Sequence, residues 1–221
     1  MLKPRVQLLL PLLTLLLWAC SLTPQFVARD EPWRADEERA CLAAGVVHEG
    51  PFVELRSGLD GPSVCGAIKP FSVSAAASGW VQLQPPALLR CPMVPALDHW
   101  VERAVMPAAR RHFRSQLVAL KIAGSYSCRP MNNVDGAFLS EHGHANAIDV
   151  SGFVLADGRT VQVRTGWWGA FAERNFLRDV HRSGCALFST VLGPNYDANH
   201  RDHFHLDLAR HGRDGANTIC K

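Results

Sequence analysis

The chain has 221 residues, 48% of them hydrophobic, and a formal charge of +3, enough for one domain with a real core and too little for two full ones. Lys3 and Arg5 both lie in an N-terminal segment that reads as removable, and +3 less these two leaves +1 for the remainder. So even a balance excludes binding to a phosphate backbone as the main task, which needs a clustered basic face, and no nucleic-acid partner is expected.

Residues 1–20 carry those two basic residues, then a Leu-rich run from Leu8 to Trp18 and small Ala19 before Cys20. This is the pattern of an export signal, and its apolar run is shorter than the roughly 18 residues of a spanning helix. Leu17-Trp18-Ala19-Cys20 also resembles a bacterial lipobox. The expectation is therefore a protein of the periplasm or cell envelope, in contact with a membrane through a lipid on Cys20. With Cys20 lipidated, six cysteines remain: Cys41, Cys65, Cys91, Cys128, Cys185 and Cys220. An even number in an exported chain favours disulfides, and none forms a C-x-x-C pair.

Residues 21–34, with Pro24 and Pro32, suit a tether. A short helix is expected from Ala35 to Ala44. Up to about residue 90, short apolar runs alternate with Gly and Pro, which reads as a small cystine-stapled region with Cys41–Cys65 as its local bridge. Residues 91–221 form the main domain. There Leu97, Trp100, Val101, Ala104, Val105 and Ala108 recur at helical steps, with Pro107 expected to bend or end the helix. A strand follows from Leu117 to Ala123, then a polar loop, then a strand from Val150 to Leu155 opened by Asp149. Asp157-Gly158 turns the chain into Thr160–Arg164. Trp168, Ala172, Phe176 and Val180 predict a second helix that Gly184 ends, with Trp167 and Trp168 read as packing residues. Strands are expected at Leu187–Leu192 and His203–Leu208. The layout is α+β: a small antiparallel sheet with packed helices.

Two segments carry the chemistry: Ser140-Glu141-His142-Gly143-His144-Ala145-Asn146-Ala147-Ile148-Asp149 and His200-Arg201-Asp202-His203-Phe204-His205. Imidazole and carboxylate are normal zinc ligands, and a hydrolytic site needs three of them with one position open. A strand opening at Asp149 and a strand carrying His205 can be neighbours, so His142, Asp149 and His205 are expected to hold Zn2+. Asp202 is the first choice as general base and His203 its alternative or partner. In a regular strand, however, His203 shares a face with His205 and Asp202 does not. Glu141 reads as a surface or capping residue and His200 as a solvated loop residue. His144 is a neighbour without a metal role, and Asp207 is either an acceptor for a ligand histidine or a strand-edge charge.

These residues resemble the zinc peptidases that include D-alanyl-D-alanine carboxypeptidases and murein endopeptidases, whose pattern is S-x-H-x-x-G-x-A-x-D followed by acid-x-x-His or H-x-H. Ser140, His142, Ala147 and Asp149 match the first part, Asp202 with His205 and His203 with His205 match the second, and Ala145 stands where the pattern has glycine. More closely, GSYSCRPMN, LSEHGHANAIDVSGF, VLGPNYDANHRDHFHLDLA and the cysteine positions resemble the bacterial extensin-like C-terminal family, from about Cys41 to Cys220. The resemblance implies a D-Ala-D-Ala-peptidase/hedgehog-like fold and a zinc peptidase acting on peptidoglycan peptides. It also implies that Arg129 steadies charge on the attacked carbonyl oxygen. The alternative is a non-catalytic zinc-containing envelope module.

Overall fold

The computed structural model describes residues 25–61 and 64–221; the expected export segment, Cys20 and the first part of the tether lie outside them. The elements are α1 (Trp33–Ala43), β1 (Val53–Leu55), β2 (Leu59–Asp60), β3 (Gly66–Ala67), β4 (Phe71–Ala76), β5 (Val81–Leu89), α2 (Met93–Trp100), α3 (Met106–Phe113), β6 (Leu117–Gly124), β7 (Ala147–Leu155), β8 (Thr160–Gln162), α4 (Val163–Gly166), α5 (Phe171–Gly184), β9 (Thr190–Leu192), β10 (Phe204–Asp207) and β11 (Ile219–Cys220). Nine strands form one sheet in the order β1-β4-β5-β6-β7-β10-β9-β11, with β8 beside the second half of β7. The expected α+β class holds, but the sheet is larger than expected and mixed: β5–β6 and β9–β11 are parallel pairs. Residues on either side of position 90 share it, because β5 pairs with β6.

Alternation along the central strands separates two faces. Ile148 and Val150 of β7 and Phe204 and Leu206 of β10 are fully buried under the helices. There Trp100 lies edge-on to Phe153 and Phe188, and its indole N–H donates to Val180 O at 3.0 Å. The intervening residues, Asp149, His205 and Asp207, face the other side.

Pro107 does not end its helix. α2 runs through a wider i→i+5 turn, Val101–Val105, directly into α3; that turn accommodates the ring and its missing donor. The aromatic stripe differs from expectation. Phe176, Leu177 and Val180 are buried, but Trp168 and Phe171 are 66% and 73% exposed. α5 begins only at Phe171, so Trp168 is not on its wheel, whereas Trp167 is buried and bonds Asn195 Oδ1 at 3.0 Å.

The expected Cys41–Cys65 bridge is not formed. Cys41 on α1 pairs with Cys91 at the entry to α2, Cys65 just ahead of β3 pairs with Cys128, and Cys185 pairs with Cys220. Tertiary packing thus lays α1 over the start of α2 and the β2–β3 ribbon against the loop after β6, which sequence proximity does not reveal. Residues 25–34 are no simple tether either: Val27 bridges Phe138 and α1 starts at Trp33. No helix among the described residues is long and apolar enough to cross a membrane.

Candidate metal centre

β7 and β10 run antiparallel with Asp149 directly opposite His205, and β9 sets Leu192 and Thr190 beside His205 and Asp207. His142 arrives from a 3₁₀ turn, Glu141–His144. Ser140 caps this turn, its hydroxyl accepting from His142 N at 3.4 Å, and Ser127 N bonds His142 O at 3.1 Å. The turn closes on Ala145 in the left-handed region (φ 50°). That is the glycine position of the peptidase pattern, and the fully buried methyl is accommodated there.

The three expected ligands converge. His142 Nε2 is 3.0 Å from Asp149 Oδ2, His205 Nδ1 is 3.0 Å from Asp149 Oδ1, and the two ring nitrogens are 3.2 Å apart. One donor atom from each of the three lies within 4.8 Å of the others, so the set fits a single ion. The remaining ring nitrogens are committed elsewhere. His142 Nδ1 is 2.5 Å from Ser125 O, and His205 Nε2 is 2.8 Å from Asp207 Oδ2. These contacts fix which nitrogen each ring presents, the usual arrangement behind metal-binding histidines. Asp207 is buried and therefore no strand-edge charge. Gly124 supplies room, since a Cβ there would stand 2.9 Å from Asp149 Oδ2. The other triad, His181 with Cys185 and Cys220, has both sulfurs in a disulfide.

Charge is tightly arranged. Burial alone would raise the Asp149 carboxyl, but hydrogen bonds and charge from His142 and His205 outweigh it and hold it far below the usual carboxylate range. Burial alone would lower His205, yet Asp149 and Asp207 push it up to about 10 in the metal-free protein.

Asp202 and His203, the two candidate proton carriers, lie at different depths. β10 starts at Phe204, and residues 201–203 form a bend ahead of it. His203 points inward, with Nε2 3.6 Å from Asp149 Oδ1, while Asp202, its side chain 54% exposed, sits behind it with Oδ1 2.9 Å from His203 Nδ1. His200 is buried rather than solvated and bonds Asp197 at 2.6 Å; its ring lies 5.4 Å from that of His203. Glu141 is no surface residue: Arg34 grips it through two hydrogen bonds, and Asn146 Nδ2 donates to it at 2.6 Å. His144 is half-buried; burial first and then the Arg34 charge push it down to about 4. A cleft of about 520 Å³ opens over the cluster, lined among others by Arg129, His144, Tyr196, His200 and His203. Asn146, Tyr196 and the Ser125 carbonyl were not singled out from sequence, where nothing in their spacing marks them.

A family model described as the extensin-like protein C-terminus matches residues 39–221. The chain belongs to the extensin-like C-terminal family. Comparison with curated proteins and with solved structures yields no match. Within this extensin-like domain the match takes in every member of the cluster, from Gly124 to Asp207, as well as all three disulfides.

Proposed function

We propose that this extensin-like protein is an exported, zinc-dependent peptidase that hydrolyses amide bonds in peptidoglycan peptides. The observation that carries the reading is the convergence of His142, Asp149 and His205, each histidine oriented from behind, at the floor of an open cleft. His142, Asp149 and His205 would hold a zinc ion, which would supply Lewis-acid chemistry at the amide carbonyl and a more acidic water.

The chain's own groups supply the remaining chemistry. His203 takes the proton of the attacking water and passes it to the departing amine. Asp202 accepts from His203 Nδ1 and holds the ring in that orientation, so the two share the role first given to Asp202. Arg129, on the cleft wall, steadies charge on the carbonyl oxygen. Residues 1–20 direct export, and a lipid on Cys20 anchors the domain at the envelope.

Metal-loaded protein incubated with purified sacculi should release peptide fragments detectable by mass spectrometry. Chelation and His205→Ala should each abolish the release, and full activity of metal-free His205→Ala protein would end the proposal. A non-catalytic zinc module remains the rival because His203 Nε2 stands 3.6 Å from a ligand oxygen, near enough for a small shift to make it a fourth ligand. His203→Ala separates the two. An enzyme keeps its zinc and loses cleavage, whereas a structural site loses zinc.

A further inference from the structure

Residues 25–34 precede the family match, yet they build one wall of the cleft. Gly136 N donates to Gln25 O at 2.9 Å, Val27 N to Ala137 O at 2.8 Å and Leu139 N to Val27 O at 3.0 Å, so the segment runs as a strap beside Phe138. At its far end Arg34 pairs with Glu141, the residue before His142, and its carbonyl accepts from buried Arg90 at 2.8 Å. Val27, Arg29, Glu31 and Arg34 thereby line the same cleft as the metal cluster.

The ion pairs on this wall leave one arginine aside. Arg34 is neutralised by Glu31 and Glu141, Arg210 lies 3.6 Å from Glu37, and Asp149 and Asp207 are committed to the histidines. Arg29 has no carboxylate partner among the described residues, and its guanidinium sits 3.5 Å above the Phe138 ring. Stacking there limits where its planar fork can point while leaving its N–H donors to a ligand, and that fork matches a carboxylate.

We propose that the strap is a substrate-binding wall on which Arg29, seated on Phe138, binds a carboxylate of the peptide. The assignment rests on the amide-hydrolysis reading for the identity of the ligand, and Arg129 keeps its role at the carbonyl oxygen.

Calorimetry in chelator tests it with acetyl-Lys-D-Ala-D-Ala and the same peptide as its C-terminal amide. The intact protein should bind the acid about tenfold more tightly, the scale of one charge-assisted contact. Arg29→Gln should erase most of that preference and Arg29→Lys should restore part of it, with zinc affinity unchanged in both. Equal affinity for acid and amide overturns the assignment, as does no binding of the acid at millimolar concentration, or a preference that survives Arg29→Gln. Displacement by inorganic phosphate at equal concentration would make the site a general anion site and overturn the carboxylate assignment. Because no metal or turnover is needed, an acid preference without hydrolysis sinks only the peptidase reading, and hydrolysis without the preference sinks only this one.

Discussion

His205 has both ring nitrogens committed, Nδ1 toward Asp149 at 3.0 Å and Nε2 toward Asp207 at 2.8 Å. Asp207→Asn should therefore weaken zinc binding by about 10- to 100-fold without removing a ligand, measured by competition with a chromophoric chelator. Gly124→Ala should act at the same site by another route. Its methyl would stand 2.9 Å from Asp149 Oδ2, so the carboxylate must move, and a loss of zinc affinity of about tenfold is expected with the fold retained. Unchanged affinity in the Gly124 variant would show that the carboxylate has room to spare. At this scale the grouping of His142, Asp149 and His205, the candidate ligands, was legible in the sequence, because their spacing matches the peptidase pattern. For Asp202 and His203 the sequence pointed two ways, the family pattern to Asp202 and strand alternation to His203; in the structure a bend ahead of β10 turns the histidine inward and leaves the aspartate at the surface.

Elements place these side chains through strand alternation and register. β7 and β10 each give one face to the helices and the other to the cluster, and the register that pairs His205 with Asp149 sets the candidate metal site. A one-residue slip of β10 against β7 would turn His205 and Asp207 to the helix side, away from Asp149. The 3₁₀ turn carrying His142 ends on Ala145 at φ 50°, a conformation that costs an L-residue about 1 kcal/mol relative to glycine. Ala145→Gly is expected to be neutral or to raise the melting temperature slightly, while leaving zinc binding intact. A clear loss of stability would mean that the buried methyl contributes more packing than strain. Periodicity found β6, β7 and the buried half of α5, whereas Trp168 was misread because period alone does not locate where a helix begins.

At the scale of the fold, the disulfides and the buried cluster of His142, Asp149, His205 and Asp207 set the response to conditions. Cys41–Cys91 closes a separation of 50 residues, for which chain entropy gives about 4 kcal/mol. Reduction or Cys41→Ser should therefore lower the denaturation midpoint markedly. The pH dependence follows from the cluster. In metal-free protein His205 is raised from 6.5 to about 10, so its contribution to folding is complete below about 6.5 and is lost as pH rises through about 10. Asp149 is depressed, so its contribution is present above the ordinary carboxylate range and is lost only as pH falls through its lowered value. Thermal melts in chelator should thus decline between about pH 6.5 and 10. A zinc ion bound as proposed would compete with the proton on His205, so the stabilisation it confers should grow over the same window and weaken on acidification. A metal-free curve that stays flat across this range would contradict a charged His205.

The sequence by itself determined the α+β class, the two segments that carry the candidate ligands and the family likeness, because strand period, turn residues and residue spacing are local properties. Only the tertiary structure decided the disulfide pairing, the exchange of Asp202 for His203 at the cleft, the burial of His200 and the docking of residues 25–34 against Phe138. Each of these depends on which distant surfaces meet when the sheet and helices pack, and neither composition nor spacing encodes that contact at any single position.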